Sequence, residues 1–409
     1  MTPARSALLA ALALYAAAVV AALLLVPWEA AVAPWADLAT DQLTAFTAEQ
    51  VSAIQAYVAA AWLPGVLAWL APAALALVVL LVAPARNALA RIGPQGKHFL
   101  ATVLTAAALL AATRIVTLPF VLLVAQARRD HGLLVEPWGT WWLRWAGESL
   151  AFVVLGALGV ALALAILNRW PRRGWIVVVA GAAVVALATS ALLPLVQRLE
   201  GTAADPALTA RVLAMADRIG VDVGTVTVVE MADRSPAINA HVSGWGPTRA
   251  VTIYDTVSGT ASPAEIDALV AHELVHVREG DVALGTLLAG LAAAGTAALA
   301  AGLVLSRRVR AWLDASHAGD ARMVPLVVAV TLVAALVGSI GAVTMSRALE
   351  ARTDREALSV TGDAQAYADL LMRLAITNKS TLEPPRWRYA LLFTHPTPLQ
   401  RLALMDQAR

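Results

Sequence analysis

Seven apolar runs dominate this chain, and each is close to the length at which a helix crosses a lipid bilayer, about 20 residues. They lie near residues 6–28, 60–84, 99–124, 150–167, 175–196, 283–305 and 324–345. Hydrophobic residues make up 60% of the 409 positions and charged residues only 14%, which excludes an ordinary soluble protein. The runs therefore predict a mainly α-helical, multi-pass membrane protein with about seven transmembrane helices.

The third run and the segment after it carry residues that are unusual near a membrane. Arg114 lies inside the run, so it is a candidate functional residue, a lining residue of a water-filled interior or a snorkelling side chain. The next segment contains Trp138, Trp141, Trp142 and Trp145, which are typical of a membrane interface. We predict that the Trp-rich segment is a loop at the membrane surface.

The composition changes after the fifth run. From residue 198 to about 281 the chain has the pattern of a small α+β unit, with a helix capped at Asp205 and strands at 225–229, 237–242 and 250–254. We therefore divide the chain into a five-span N-terminal membrane domain, an α+β unit, a two-span hairpin and a helical C-terminal part. These four segments cover residues 1–197, 198–282, 283–345 and 346–409.

The α+β unit ends in the sequence His-Glu-Leu-Val-His at residues 272–276. On an α-helix His272 and His276 lie on the same face, so both imidazoles can bind one metal ion. Glu273 lies beside the first of them, where a carboxylate can take a proton from water, as in the H-E-x-x-H zinc hydrolases. The pattern predicts a catalytic zinc site, although five residues are few and a purely structural occurrence is the alternative.

Flanking residues favour a helix under this motif. Ser262, Pro263 and Glu265 form the pattern of a capping box with proline at the first helical position. Gly280 supplies a stop just after the motif. We expect one helix from about residue 263 to the residues before Gly280.

The chain has no cysteine, so any metal must be held by histidine and carboxylate side chains. A catalytic zinc ion usually has three protein ligands, which leaves one to be found. We expect Glu279 and Asp281 to point away from the histidine face at the helix end. His241 and His395 are chemically possible.

Glu350 is the better candidate for the third ligand, and Asp354 lies four residues after it on a polar helix that is predicted to open after the last span. One carboxylate of this pair can bind the metal while the other accepts the free N–H of a ligating histidine. The alternative is a solvated helix whose acidic and basic residues pair with one another.

Taken in this order, the motifs resemble those of the integral-membrane zinc endopeptidases of the CAAX prenyl protease type 1 group, relatives of the bacterial HtpX heat-shock proteases. The resemblance covers nearly the whole chain. It includes the seven spans, the insertion after the fifth, and the Ser-Arg-x-x-Glu-x-x-x-Asp helix at 346–354. Finer matches are Leu-Pro-Phe at 118–120, Arg-Ser at 234–235, Ile-Asn-Ala at 238–240, Arg-Ala-Val at 249–251, Asp-Thr at 255–256 and His-Pro at 395–396 with Arg401.

The resemblance implies a small zincin-like metalloprotease domain and a role for each matching residue. It implies zinc ligands at His272, His276 and Glu350, with one Zn²⁺ per chain. It further implies Glu273 as the general base and Asp354 as the partner of a ligating histidine. The remaining implied roles are a catalytic contact to the substrate carbonyl for His395 and substrate binding for Asn239 and Arg401.

The implied function is that of a membrane endopeptidase that hydrolyses membrane-associated or misfolded proteins or peptides in a bacterial plasma membrane. Processing of lipidated C-termini is an alternative. A non-catalytic transporter or scaffold with a structural metal is another. We expect a peptide substrate and the lipid bilayer as partners and no nucleic acid. The basic loops favour a catalytic unit outside the cytoplasm, whereas eukaryotic family members hold it in the cytosol, so both orientations stay open.

Overall fold

The computed structural model describes residues 1–31, 40–94, 96–244 and 249–406. Within these ranges seven long apolar helices form the membrane part of the protein. They are α1 (Pro3–Leu25), α2 (Ala48–Leu81), α4 (His98–Asp130), α5 (Trp138–Arg169), α6 (Gly174–Glu200), α10 (Asp281–Leu305) and α12 (Val324–Thr361). Six of them are long and apolar enough to cross a membrane, and α6 adds a shorter apolar stretch, Gly174–Ser190. The predicted multi-pass helical architecture is confirmed.

Two predictions about these helices are wrong. The Trp-rich segment is the first part of α5, where the rings of Trp138, Trp141, Trp142 and Trp145 stack edge to face at centroid distances of 5.0–5.7 Å. The helix can therefore continue through the interface. The polar segment after the last span is likewise no new helix but the continuation of α12, whose 38 residues span roughly 57 Å, well beyond a bilayer core.

A four-stranded sheet lies in the segment inserted after α6. Its strands are β1 (Gly201–Ala203), β2 (Thr225–Val229), β3 (Ala240–Ser243) and β4 (Ala250–Tyr254). They lie in the order β1-β2-β4-β3, with β2 and β4 parallel and the outer strands antiparallel to their neighbours. The predictions of β2 and β4 are confirmed, β3 begins three residues later than predicted, and the short β1 was not predicted. Strand β3 therefore forms an edge of the sheet.

Helices from two separate parts of the sequence build the rest of this unit, some against the sheet and some against α9 and α12. The first part supplies α7 (Pro206–Ile219), α8 (Asp255–Ser258) and α9 (Pro263–Arg278), and the second supplies α13 (Ala364–Thr377), α14 (Arg386–Leu392) and α15 (Pro398–Asp406). Short helices α3 (Ala83–Ala90) and α11 (Arg307–Trp312) follow α2 and α10.

One hydrophobic core joins the two parts. It contains Val212 of α7, Val251 of β4, Leu274 of α9, Leu371 of α13 and Leu402 of α15, all of them buried. Helices α10 and α12 pack against each other and return the chain from α9 to the second part. The C-terminal half of α12 consequently lies beside α9, which positions the site.

Candidate metal centre

Helix α9 begins and ends where its sequence predicts. The Ser262 hydroxyl accepts from the backbone N–H of Glu265 at 3.3 Å, and the Ser262 N–H donates to the Glu265 carboxylate at 2.7 Å. Pro263 is the first helical residue. Gly280 has a φ of 73°, a left-handed conformation in which glycine is unstrained, and it turns the chain from α9 into α10.

The two motif histidines meet on one face of α9. Their rings are nearly perpendicular, and the Nε2 atoms of His272 and His276 are 3.3 Å apart. Glu350 of α12 reaches the same point, with Oε2 3.2 Å from Nε2 of His272 and Oε1 3.6 Å from Nε2 of His276. One ligand atom from each of the three side chains lies within 4.8 Å of the other two.

The chemistry of this group fits a metal ion. Two imidazole nitrogens and one carboxylate oxygen are the donors of many catalytic metal sites. Glu350 is only 8% exposed, and among the described residues its buried Oε2 makes no hydrogen bond. A buried carboxylate oxygen is costly without a partner, and a cation between the three donors would supply one.

The far side of His272 is held by a polar network. Its Nδ1 atom lies 3.1 Å from Oδ1 of Asp354 and 3.0 Å from the Tyr367 hydroxyl, which donates to the same Asp354 oxygen at 2.9 Å. Burial alone would lower the pKa of His272, but the nearby carboxylates of Asp354 and Glu350 outweigh it and raise the pKa to about 10. Asp354 thus lies next to Nδ1 of His272, the position required for its predicted role as the partner of a ligating histidine.

Arg401 completes this network. Its Nε donates to Oδ2 of Asp354 at 2.7 Å, and its Nη2 donates to Oδ1 at 2.6 Å. The guanidinium also lines the cavity described below. Its predicted contact with substrate stays a prediction, while its contact with Asp354 was not foreseen. Tyr367 was missed as well, because a tyrosine within an amphipathic helix carries no signal of such a role.

His276 has an acidic partner of its own. Oδ2 of Asp281 lies 2.7 Å from its Nδ1, and Nη2 of Arg352 donates to both Asp281 oxygens at 2.7 and 2.6 Å. The expectation that Asp281 points away is wrong, because the left-handed Gly280 starts a new helix at Asp281 instead of continuing α9. The Gly280-Asp281 pair after the motif was the sequence signal that could have indicated this turn into a new helix.

A cavity of about 420 Å³ opens beside the metal-binding group. His272, Glu273, Asn239 and His395 all line it. Burial raises the pKa of Glu273, and the two motif histidines only partly oppose this effect. A carboxylate with a raised pKa suits proton transfer near neutral pH.

His395 approaches the same point from the C-terminal part. Its Nε2 lies 3.2 Å from Oε1 of Glu350, and its Nδ1 lies 2.9 Å from the Thr394 hydroxyl. Desolvation lowers the pKa of His395; the Glu350 charge opposes this shift, and the charge of Arg401 adds a smaller lowering. The ring therefore tends to be neutral at neutral pH.

Asn239 lies immediately before the edge strand β3 and is exposed to the cavity. Its carbonyl accepts from the backbone N–H of Tyr254 at 3.0 Å. The preceding residue, Ile238, is fixed by Asn378, whose amide both accepts from its N–H and donates to its carbonyl at 3.0 Å. The chain is therefore rigidly held where it enters the sheet edge.

Other candidates lie apart from the group of three. Glu279 pairs with Arg278 and Arg352, and His241 is absent from the metal-binding group found among the described residues. Arg114 donates to Ser149 of α5 at 3.0 Å and lies within 6 Å of two aromatic rings. The structure thus gives Arg114 partners within the membrane part.

A family model described as Peptidase family M48 matches residues 202–409, just over half of the chain. The chain belongs to peptidase family M48. The family suggested by the sequence motifs is thus confirmed. The matched residues include α9, the C-terminal half of α12 and α15, which carry the residues described above.

This M48 family member is also similar to curated proteins and to a solved structure. It is 25% identical over 199 residues to an uncharacterized metalloprotease, YhfN, of Bacillus subtilis, covering 48% of this chain and 46% of that protein. It is 27% identical over 191 residues to a protease HtpX homolog of Burkholderia mallei, covering 42% and 65%. The matches thus span about half to two thirds of these relatives.

The solved structure is the crystal structure of S. mikatae Ste24p. The TM-score is 0.76, and the superposition covers 99% of both chains at 17% sequence identity. The two proteins therefore share a fold over their whole length, including the arrangement of the membrane helices around the inserted α+β unit.

Proposed function

We propose that this M48 family member is a zinc-dependent membrane endopeptidase in which His272, His276 and Glu350 hold the zinc ion and Glu273 is the general base. The observation that carries the proposal is the position of Glu273 on the wall of the same cavity as His272, next to three converging ligand atoms. When bound, zinc supplies Lewis acidity that makes a nearby water molecule acidic at neutral pH.

Glu273 takes the proton of the attacking water and returns it to the leaving amine as the peptide bond breaks. His395 donates a hydrogen bond from Nε2 to the developing oxyanion. The Thr394 hydroxyl supports this role, because donation to Nδ1 leaves the single ring proton of a neutral imidazole on Nε2. Asp354 faces Nδ1 of His272 and so keeps the ring proton on Nδ1, which leaves Nε2 free to bind the metal.

The substrate is an extended segment of a membrane-associated or misfolded protein or peptide. Strand β3 lies at an edge of the sheet, and no strand among the described residues pairs with its outer side, so a peptide can add to it through main-chain hydrogen bonds next to Asn239. Residues 198–282 and 346–409 together form the catalytic unit, and Arg401 acts at the cavity wall. The bacterial relatives support a location in a bacterial plasma membrane.

The test of the base is Glu273→Gln in purified full-length protein in detergent. We expect unchanged zinc content and a loss of peptide cleavage of about 100-fold or more, the usual contribution of a general base. Glu279→Gln, a change of the same kind at a partly exposed neighbour, is the control and should cleave normally. Equal cleavage by Glu273→Gln and wild type would refute the assignment.

The metal is tested separately. Removal of zinc with a chelator should abolish cleavage and addition of zinc should restore it. Glu350→Ala should lower the zinc content measured by elemental analysis. Unchanged zinc stoichiometry in Glu350→Ala would remove Glu350 from the ligands without bearing on Glu273.

A further inference from the structure

A second cavity, of about 530 Å³, lies next to the candidate active site. Ser380, Leu392 and Phe393 line both cavities, so the second one shares a wall with the first. Along α2 it extends from Tyr57 to Trp69, which are 12 positions apart on the helix, or roughly 18 Å. It therefore runs from the level of the catalytic core down along a membrane span.

The two ends of this cavity differ in chemistry. The part of the lining that comes from the spans is mostly apolar, with Val66 and Trp69 of α2, Val124 of α4 and Val343 of α12; its one hydroxyl, that of Ser339, is bonded to the Leu336 carbonyl. The upper end contains two cations, Lys379 and Arg388. A cavity with a cationic end and an apolar end matches an amphiphile that carries negative charge at its head.

Neither of these cations has an acidic partner among the described residues. Within the part of the chain that the structure describes, no carboxylate lies within 4.0 Å of the side-chain nitrogens of Lys379 or Arg388. The Arg388 guanidinium is instead held over the rings of Trp62, at 5.3 Å, and Phe393, at 5.9 Å. Partial burial without a counter-charge is unfavourable for Arg388, and an anion in the cavity would relieve it.

Lys379 occupies a backbone position that favours glycine over lysine. Its φ is 49°, the left-handed conformation that follows a helix C-terminus and that glycine adopts without strain. Lysine is strained there, yet it brings a charge to the mouth of the cavity.

We propose that this cavity binds an anionic phospholipid, with the phosphate between Lys379 and Arg388 and an acyl chain along Trp62, Val66 and Trp69. A lipid is favoured over a peptide terminus because membrane spans form the apolar end. Leu70 and Trp387 beside the cavity are, in addition, 41% and 54% exposed, as suits residues that face lipid. The site adjoins the catalytic cavity through their shared wall, but the proposal does not depend on the proposed activity.

The test uses full-length protein in detergent, incubated with phosphatidylglycerol or with phosphatidylcholine of the same acyl chains, and native mass spectrometry to count retained lipids. We expect wild type to retain the anionic lipid about tenfold better. Lys379→Gly and Arg388→Gln should each lower this preference about threefold or more, and the double variant should abolish it.

Lys379→Gly also controls for folding, because glycine relieves the backbone strain, so its thermal midpoint should equal or exceed that of wild type. Arg386→Gln is the matched charge control, since Arg386 is on the same helix, is exposed and lies outside the cavity. Equal retention of the two lipids by wild type would overturn the proposal, as would an Arg386→Gln effect as large as that of Arg388→Gln. The proposal would also be wrong if the protein showed no lipid preference and instead bound a peptide with a free C-terminal carboxylate better than the same peptide with a C-terminal amide.

Discussion

Arg401 binds both carboxylate oxygens of Asp354, with Nε 2.7 Å from Oδ2 and Nη2 2.6 Å from Oδ1. Asp354 in turn lies 3.1 Å from Nδ1 of His272. The pKa of Arg401 is raised well above its usual range; burial opposes this shift, but the Asp354 charge outweighs it. The C-terminal helix α15 therefore orients a proposed metal ligand on α9 through one acidic residue of α12.

The substitution Arg401→Lys should weaken zinc binding by about tenfold or more. Lysine keeps the positive charge but cannot make two parallel hydrogen bonds, so Asp354 would hold His272 less firmly. Zinc affinity is measured by competition with a chromophoric chelator. Arg386→Lys, the same change at an exposed position, should leave the affinity unchanged, and wild-type affinity in Arg401→Lys would show that the bidentate contact does not support the site.

Asp281→Asn should also weaken zinc binding, by about tenfold. The substitution preserves the shape of the side chain but removes the charge that faces Nδ1 of His276 and the Nη2 group of Arg352. The rate of zinc loss to an excess of chelator is a suitable measure. Glu279→Gln serves as the control two residues away. Equal rates in the two variants would mean that Asp281 has no special contact with the ligand.

Local signals in the sequence predict the parts of the site that depend on one element. The capping box at Ser262 and Glu265 and the stop at Gly280 define α9, and the i, i+4 spacing places His272 and His276 together. Glu350 could be proposed from its chemistry, since the chain offers few other ligands. The metal-binding residues could therefore be predicted with little information about the tertiary structure.

The supporting contacts could not be predicted, because they depend on packing between distant segments. Tyr367 is 95 residues from His272, and no local pattern marks it as a partner of that ring. Asp281 was expected to point away because it lies past the predicted helix end, whereas the left-handed Gly280 turns the chain so that Asp281 begins α10 beside His276. The continuity of α12 was missed because its composition changes from apolar to polar while its backbone hydrogen bonds continue unbroken.

Glu265→Gln should destabilise the protein at neutral pH and remove part of its sensitivity to acid. Burial would raise the pKa of Glu265, but hydrogen bonds from Arg373 and Ser262 outweigh it and lower the pKa. A lowered pKa means that the stabilisation is complete above the ordinary glutamate pKa of about 4.3 and is lost as the pH falls through the folded-state value.

Glutamine can keep the capping-box acceptor for the Ser262 N–H, but it loses the charge and one of the two oxygens that accept from Arg373. We expect a cost of about 1 kcal/mol at pH 7, since Arg373 is 37% exposed and solvent screens the pair. Thermal midpoints of wild type and variant should converge only as the pH is lowered below about 4, through the folded-state pKa of Glu265. Glu230→Gln, at an exposed glutamate, should show neither effect, and a constant difference between Glu265→Gln and wild type at all pH values would contradict the prediction.

Asn378→Asp should raise KM about three- to tenfold while kcat and zinc content stay near wild type. The Asn378 amide fixes Ile238 by two hydrogen bonds at the entrance to β3, and a carboxylate there would lose the donor and repel the Ile238 carbonyl. The edge that is proposed to pair with substrate would then be less well ordered, whereas the metal-binding group on α9 and α12 is not touched.

Steady-state cleavage of a fluorogenic peptide separates the effect of Asn378→Asp on KM from its effect on kcat. Gln365→Glu makes the same amide-to-acid change on the exposed face of α13 and should leave both constants unchanged; a fall in kcat alone in Asn378→Asp would mean that this contact serves the chemistry and not the substrate edge.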